Sequence, residues 1–306
     1  MSTTTPLHNP SFDAPIGVFD SGIGGLSVLQ ALRQELPHER FVYLADSGNA
    51  PYGERGDAFV IARTQAITAH LVQHHGIKAL VIACNTATAA AVELLRPQFP
   101  HLPVIGVEPA LKPASLSSQT HHVGVIATRG TVTSPRFARL LEQHSAHTEF
   151  HVQACDGLAR AIELSTEHAT TAEAEDNSVT EVQTLCAQYT AALGNFGVTT
   201  GAIDTLVLGC THYVFAKQEL RALVGPDVHL IDTGAAVARQ TRRLLAQGGT
   251  LSPQDDSPAS PALAAPDHIQ LMTTGRLSAL QSAAQHWLDL PADCCSAVHV
   301  AHELPA

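Results

Sequence analysis

The chain has 306 residues, of which 45% are hydrophobic, and 17 basic against 28 acidic residues give a net charge of −11. That acidity, with no basic run, excludes nucleic acid as a primary partner. Charged residues at only 15% exclude a disordered chain.

"MSTTTPLHNPSFDAP" (1–15) lacks the basic and apolar regions of a signal peptide. No apolar run reaches the ~20 residues of a spanning helix. The expected compartment is the cytoplasm, with no membrane partner. Cysteines 84, 155, 186, 210, 294 and 295 are accordingly expected as free thiols.

Short apolar runs alternate with helical patterns from end to end. Strands are predicted at 16–19, 41–45, 79–84, 104–107, 123–127, 206–209, 228–231 and 269–273. Their continuous Val/Ile/Leu content suits parallel strands buried on both faces. Leu26, Leu29, Leu32 and Leu36 mark one helical stripe, and Phe59, Ile67 and Leu71 another that ends at Gly76. The alternation predicts an α/β fold with parallel sheets. The polar stretch 165–181 reads as an exposed insertion, and 248–267, with four prolines, as a surface loop.

Four stretches carry chemistry. "IGVFDSGIGGLSVLQAL" (16–32) runs from strand to Gly-rich turn to helix, and places Asp20 and Ser21 at the carboxyl end of the strand, where open α/β sheets bind ligands. Gly22 and Gly24 match a dinucleotide fingerprint whose third glycine falls on Ser27, and Asp46 lies near the place of a ribose-binding acid. A nucleotide site, an anion site and a simple helix cap all remain open here. "ADSGNAPYGERG" (45–56) supplies a rigid turn at Pro51-Tyr52-Gly53.

"LVIACNTATA" (80–89) and "LVLGCTHYVF" (206–215) repeat one pattern: apolar strand, small residue, cysteine, polar residues. The echo suggests two related α/β halves. A helix start at each cysteine is expected to lower its pKa toward neutrality, with Asn85, Thr86, Thr211 and His212 alongside. A zinc site is not expected, since neither Cys84 nor Cys210 belongs to a CxxC pair and Cys294-Cys295 are adjacent. A Cys210–His212 nucleophile would leave Cys84 unexplained. A matched pair of thiols suits two-base racemisation, in which a base on one face and an acid on the other exchange roles.

Taken together, "GVFDSGIGGLSVL", "NAPYG", "ACNTA", "VIGVEPA", "GCTHY", "DTG" and "MTTG" resemble the glutamate racemase family, within the aspartate/glutamate racemase superfamily. The resemblance spans roughly 16–290. It implies cofactor-independent interconversion of L- and D-glutamate, the latter supplied to peptidoglycan. It also implies two pseudo-symmetric α/β domains facing each other across the site, one formed by 1–107 plus 231–306 and the other by 108–230.

By the same resemblance Cys84 is the base acting on D-glutamate and Cys210 the base acting on L-glutamate, with Asp20 and His212 as their helpers. Glu163 is a further family carboxylate, although Asp156 stands where the family has Pro. Ser21, Tyr52, Gly53, Asn85, Thr86 and Thr211 form the substrate-binding set, joined by Asp20 and His212. Glutamate is the expected small-molecule partner, and a homodimer is compatible with the family.

An aspartate racemase would carry an acid where this chain has His212, and a related decarboxylase would keep one cysteine. From another class, a gyrase-inhibiting binding protein is the remaining alternative.

Overall fold

The computed structural model describes residues 12–168, 175–253 and 268–301. Ten strands and eleven α-helices alternate along them. They are β1 (Ile16–Asp20), α1 (Leu26–Glu35), β2 (Phe41–Ala45), α2 (Asp57–His75), β3 (Ala79–Ile82), α3 (Asn85–Gln98), β4 (Val104–Gly106) and α4 (Leu111–Ser117). Next come β5 (His122–Ala127), α5 (Arg129–Val132), α6 (Pro135–His144), β6 (Glu149–Ala154), α7 (Leu158–His168), α8 (Glu175–Leu193), β7 (Thr205–Leu208), α9 (Lys217–Val224) and β8 (His229–Ile231). The chain continues with α10 (Gly234–Gln247), β9 (Ile269–Thr273), α11 (Leu277–Leu288) and β10 (Cys295–Ala297).

The strands form two sheets, both parallel throughout, with the orders β10-β9-β2-β1-β3-β4 and β6-β5-β7-β8. Removing β9 and β10 leaves the same order in both: second, first, third, fourth. The echo between the two cysteine segments follows from this, because β3 and β7 hold corresponding places.

Side chains alternate across each strand. Ile16, Val18, Ala79 and Val81 enter one core layer of the larger sheet, while Phe19, Leu80 and Ile82 enter the other. The smaller sheet divides likewise, with Val123 and Val125 on one side and Ile126, Leu206 and Leu208 on the other. Burial on both faces removes the need for polar alternation, and each such Val, Leu, Ile or Phe side chain contributes about 1.5–3 kcal/mol. Helix α1 lays Leu26, Leu29 and Leu32 on the larger sheet. Helix α2 stops at Gly76, whose φ of 57° is the left-handed conformation that glycine adopts without penalty.

Some expectations need correction. Strand β3 ends at Ile82 rather than 84, so Cys84 is already the extended residue that caps α3. Strands β6 and β10 were not anticipated. Both lie at sheet edges, where one side of the strand meets water and residues such as Glu149, His151 and Gln153 are tolerated. The 165–181 stretch is not simply an exposed insertion. Its first residues continue α7, Thr166 is buried and accepts a hydrogen bond from Trp287, and its last residues belong to α8. Positions 169–174 and 254–267 lie outside the described residues.

Candidate active site

The carboxyl ends of the two sheets meet around a cavity of about 560 Å³. Asp20 ends β1 and Ser21 follows it, Cys84, Asn85 and Thr86 follow β3, and Cys210, Thr211 and His212 follow β7; all of them line it. Tyr52 and Gly53, from the loop after β2, and Glu163, from α7, complete the set expected from sequence. Every expected residue therefore borders one cavity.

The surroundings of the two thiols differ. Cys84 Sγ lies 3.5 Å from Ser21 Oγ. Asp20 beside it is fully buried, accepts N–H bonds from Ser21 at 2.8 Å and from Gly25 at 2.5 Å, and lies 3.4 Å from Thr211 Oγ1. Burial raises the Asp20 pKa, and the His212 charge and the Ser21 bond only partly offset it. Burial also pushes the Cys84 thiol up, and the Asp20 charge adds to the effect. The expected lowering by the start of α3 is thus overturned at this cysteine, because loss of water outweighs the few N–H dipoles there.

Cys210 is followed by a 3-10 helix, Thr211–Ala216, rather than an α-helix. Its extended backbone and the tight turn after it bring Cys210 Sγ to 3.8 Å from His212 Nδ1, although the residues are only two apart. On the far side of the ring, Nε2 lies 2.6 Å from Glu163 Oε2. Glu163 also accepts bonds from Ser47 Oγ at 2.9 Å and from the Ile23 amide at 3.2 Å.

Burial alone would lower the His212 pKa, but the Cys210 and Glu163 contacts prevail and hold it well above the usual imidazole range. Burial alone would raise Glu163, yet the His212 bond and charge, with Ser47 and Ile23, hold it below the usual carboxylate range. Both shifts favour an imidazolium–carboxylate pair.

The Gly-rich turn finds its reason in this pair. A Cβ on Gly24 would stand 2.3 Å from the His212 ring, and one on Gly22 would stand 2.3 Å from the Glu163 carboxylate. These glycines admit side chains carried by α7 and by the turn after β7, so the dinucleotide alternative loses its basis. Asp46 is likewise committed to the protein. Within its buried cluster it receives the Tyr52 hydroxyl at 2.6 Å, Arg63 at 2.8 and 3.0 Å and Thr274 at 2.7 Å. Tyr52 lines the cavity, but its phenol is spent on Asp46 and it is almost fully buried.

Asn85 is the opposite case. Both polar atoms of its side-chain amide are buried without a hydrogen-bond partner, a costly arrangement unless a ligand completes it.

Several lining residues escaped the sequence reading. Thr128, after β5, lies 2.9 Å from Thr86 across the cavity wall, Ser47 holds Glu163, and Arg55, Arg129, Arg160 and Arg276 stand exposed around the mouth. Arg129 pairs with Asp156. No local pattern marks these residues, because they come from four separate segments: the β2–α2 loop, the turn after β5, helix α7 and the turn after β9. No helix among the described residues is long and apolar enough to cross a membrane.

Two parallel sheets presenting a cysteine apiece to a shared cavity define a class of cofactor-free carbon-acid racemases. Residues 16–241 match the family model described as Asp/Glu/Hydantoin racemase, and the chain belongs to that family. It is 46% identical over 244 residues to the glutamate racemase of Pseudomonas syringae pv. tomato, covering 80% of this chain and 83% of that one. With the glutamate racemase of Cupriavidus pinatubonensis it shares 50% identity over 243 residues, 79% of this chain and 82% of that one.

The crystal structure of the Bacillus anthracis glutamate racemase isoform RacE1 superposes with a TM-score of 0.75 at 30% identity, covering 96% of this chain and 99% of that one. The Escherichia coli glutamate racemase, solved with L-glutamate and the activator UDP-MurNAc-Ala, gives 0.71 at 29% identity and covers 89% and 94%.

Proposed function

We propose that the chain interconverts L- and D-glutamate by moving the Cα proton between two thiols, Cys84 and Cys210. The carrying observation is that these cysteines follow corresponding strands of two like sheets and line one cavity, close enough that a Cys210 thiolate adds to the rise of the Cys84 pKa. Substrate held between them presents one face of Cα to each.

For L-glutamate, Cys210 as thiolate takes the proton and Cys84 as thiol delivers one to the opposite face; for D-glutamate the roles reverse. A thiol whose pKa burial has raised is a stronger base once ionised. Asp20 accepts or returns the Cys84 proton, and the His212–Glu163 pair serves Cys210. The unpartnered Asn85 amide, with Ser21, Thr86 and Thr211, receives the substrate carboxylates. The arginines at the mouth draw the dicarboxylate substrate, net −1, into a chain that is acidic elsewhere.

On this reading the two domains are 1–107 plus 231–306 and 108–230, and the enzyme works in the cytoplasm, supplying D-glutamate for peptidoglycan. Circular dichroism of pure L-glutamate incubated with the purified chain in the absence of added cofactor tests the proposal. Decay of the signal to zero supports it, and an unchanged signal refutes it.

A further inference from the structure

At the opposite end of the smaller sheet from the cavity, three side chains converge that the racemase chemistry does not use. His122 opens β5, and Glu149 and His151 lie on β6, two residues apart and hence on one face of that strand. The parallel register sets His122 opposite Glu149 and Gly124 opposite His151, so no β5 side chain stands opposite His151.

His122 Nδ1 lies 3.2 Å from His151 Nε2, and Glu149 sets Oε2 3.7 Å from the first nitrogen and Oε1 3.7 Å from the second. The imidazole rings are partly exposed and stacked at 5.5 Å. Among the described residues this is the one group of three or more His, Cys, Asp or Glu side chains with donor atoms close enough to share an ion. His70 and His74, four apart on α2 and stacked at 4.4 Å, form an HxxxH spacing, but they bring only two donors.

We propose that His122, Glu149 and His151 bind a divalent transition ion of the zinc type, with solvent filling the remaining positions. An ion about 2.0–2.1 Å from two tetrahedrally placed nitrogens separates them by roughly 3.3 Å, close to the spacing found here. Two imidazoles and one carboxylate select zinc, nickel, copper or cobalt over calcium or magnesium, which require all-oxygen cages. The ligands span β5 and β6, so the ion ties an edge strand, paired on one side only, to its neighbour. It is distinct from the reaction, since Cys155 and Thr128 at the far ends of these strands are the residues that reach the cavity.

Cobalt(II) titrated anaerobically into the full reduced chain near neutral pH provides the test. The expected result is one bound equivalent, visible d–d absorption without a thiolate-to-cobalt charge-transfer band, and displacement by zinc. His122→Gln and His151→Gln should each weaken binding about tenfold or more. Both should racemise glutamate normally in metal-free buffer, which shows that they fold. A thiolate band in the unaltered chain places the ion on the cysteines and overturns the proposal. So does an absence of uptake up to about millimolar cobalt, or equal affinity in the variants. The spectrum of the unaltered chain decides the matter even where a variant fails to fold.

Discussion

Cys84 and Cys210 stand beyond corresponding strands, β3 and β7, yet the first sits beside a buried carboxyl group and the second against an imidazole bound to Glu163. The carboxyl is held toward its neutral form by burial, whereas the imidazole is held toward its charged form by its partners. The proton that each neighbourhood stores is therefore stabilised in a different way. Near-symmetry of backbone does not extend to the chemistry, and the two directions of the reaction rest on different supports.

The strongest way to break this comparison is to remove each thiol. Cys84→Ser and Cys210→Ser should each depress racemisation by at least the ~10⁴-fold upper end of general acid–base assistance, because a serine hydroxyl is too weak an acid to complete the exchange. In D₂O, each variant should retain α-proton exchange with one enantiomer only, a different one in each case, as read by proton NMR. Normal racemisation by either variant would remove the two-thiol basis altogether.

The helpers come next. His212→Asn should slow turnover roughly 10²–10⁴-fold, with the larger primary isotope effect on proton transfer at Cys210. Asp20→Asn should move the isotope effect to Cys84. Equal loss at both faces in both variants would show that the supports are shared rather than separate.

Gly24→Ala probes the space that the imidazole needs. The added Cβ would displace the His212 ring, and a misplacement of about 1 Å costs on the order of 10²-fold. The loss should fall on kcat, with KM little changed, in steady-state assays of both directions.

The smallest expected effect on rate, and the sharpest on pH, comes from Glu163→Gln. The Glu163 pKa is depressed in the folded chain, so its contribution to stability is present above about 4.3 and is lost as pH falls through the folded value. The His212 pKa is raised, so its contribution is complete below about 6.5 and is lost as pH rises through the folded value. Breaking a buried pair of this kind costs about 3–5 kcal/mol, so urea unfolding at pH values between those limits should show the deficit. It should shrink at higher and lower pH. The His212 ring should titrate closer to the ordinary range by NMR, and a titration identical to that of the unaltered chain would dissolve the pair.

Much of the fold could be read from residues alone, for a physical reason. Strands such as 79–82 and 205–208 are buried on both faces, and continuous apolar runs announce that state. Edge strands β6 and β10 carry no such mark. Of the residues around the cavity, the cysteines and their polar neighbours were visible because each follows a strand in a repeated pattern. Glu163 came from family resemblance only, since its partners His212, Ser47 and Ile23 come from three separate segments. The arginines at the mouth and Thr128 were invisible for the same reason. The direction of the Cys84 shift was misjudged because a helix start can be inferred from a sequence, while the exclusion of water cannot.

The buried cluster around Asp46 has a consequence for how the protein is made. Its Arg63 reaches the carbonyl oxygens of Val300 and Ala301, Thr274 bonds Asp46 itself, and β9 lies between β2 and β10. The wall behind Cys84 is thus closed by residues that leave the ribosome well after β2 and β3. Until those residues emerge, β2 presents an open edge and Asp46 lacks part of its shell, so Cys84 does not have its finished surroundings. Cys84 therefore waits in an unassembled setting until β9 and the segment at Val300 and Ala301 have emerged, and catalytic competence does not precede them.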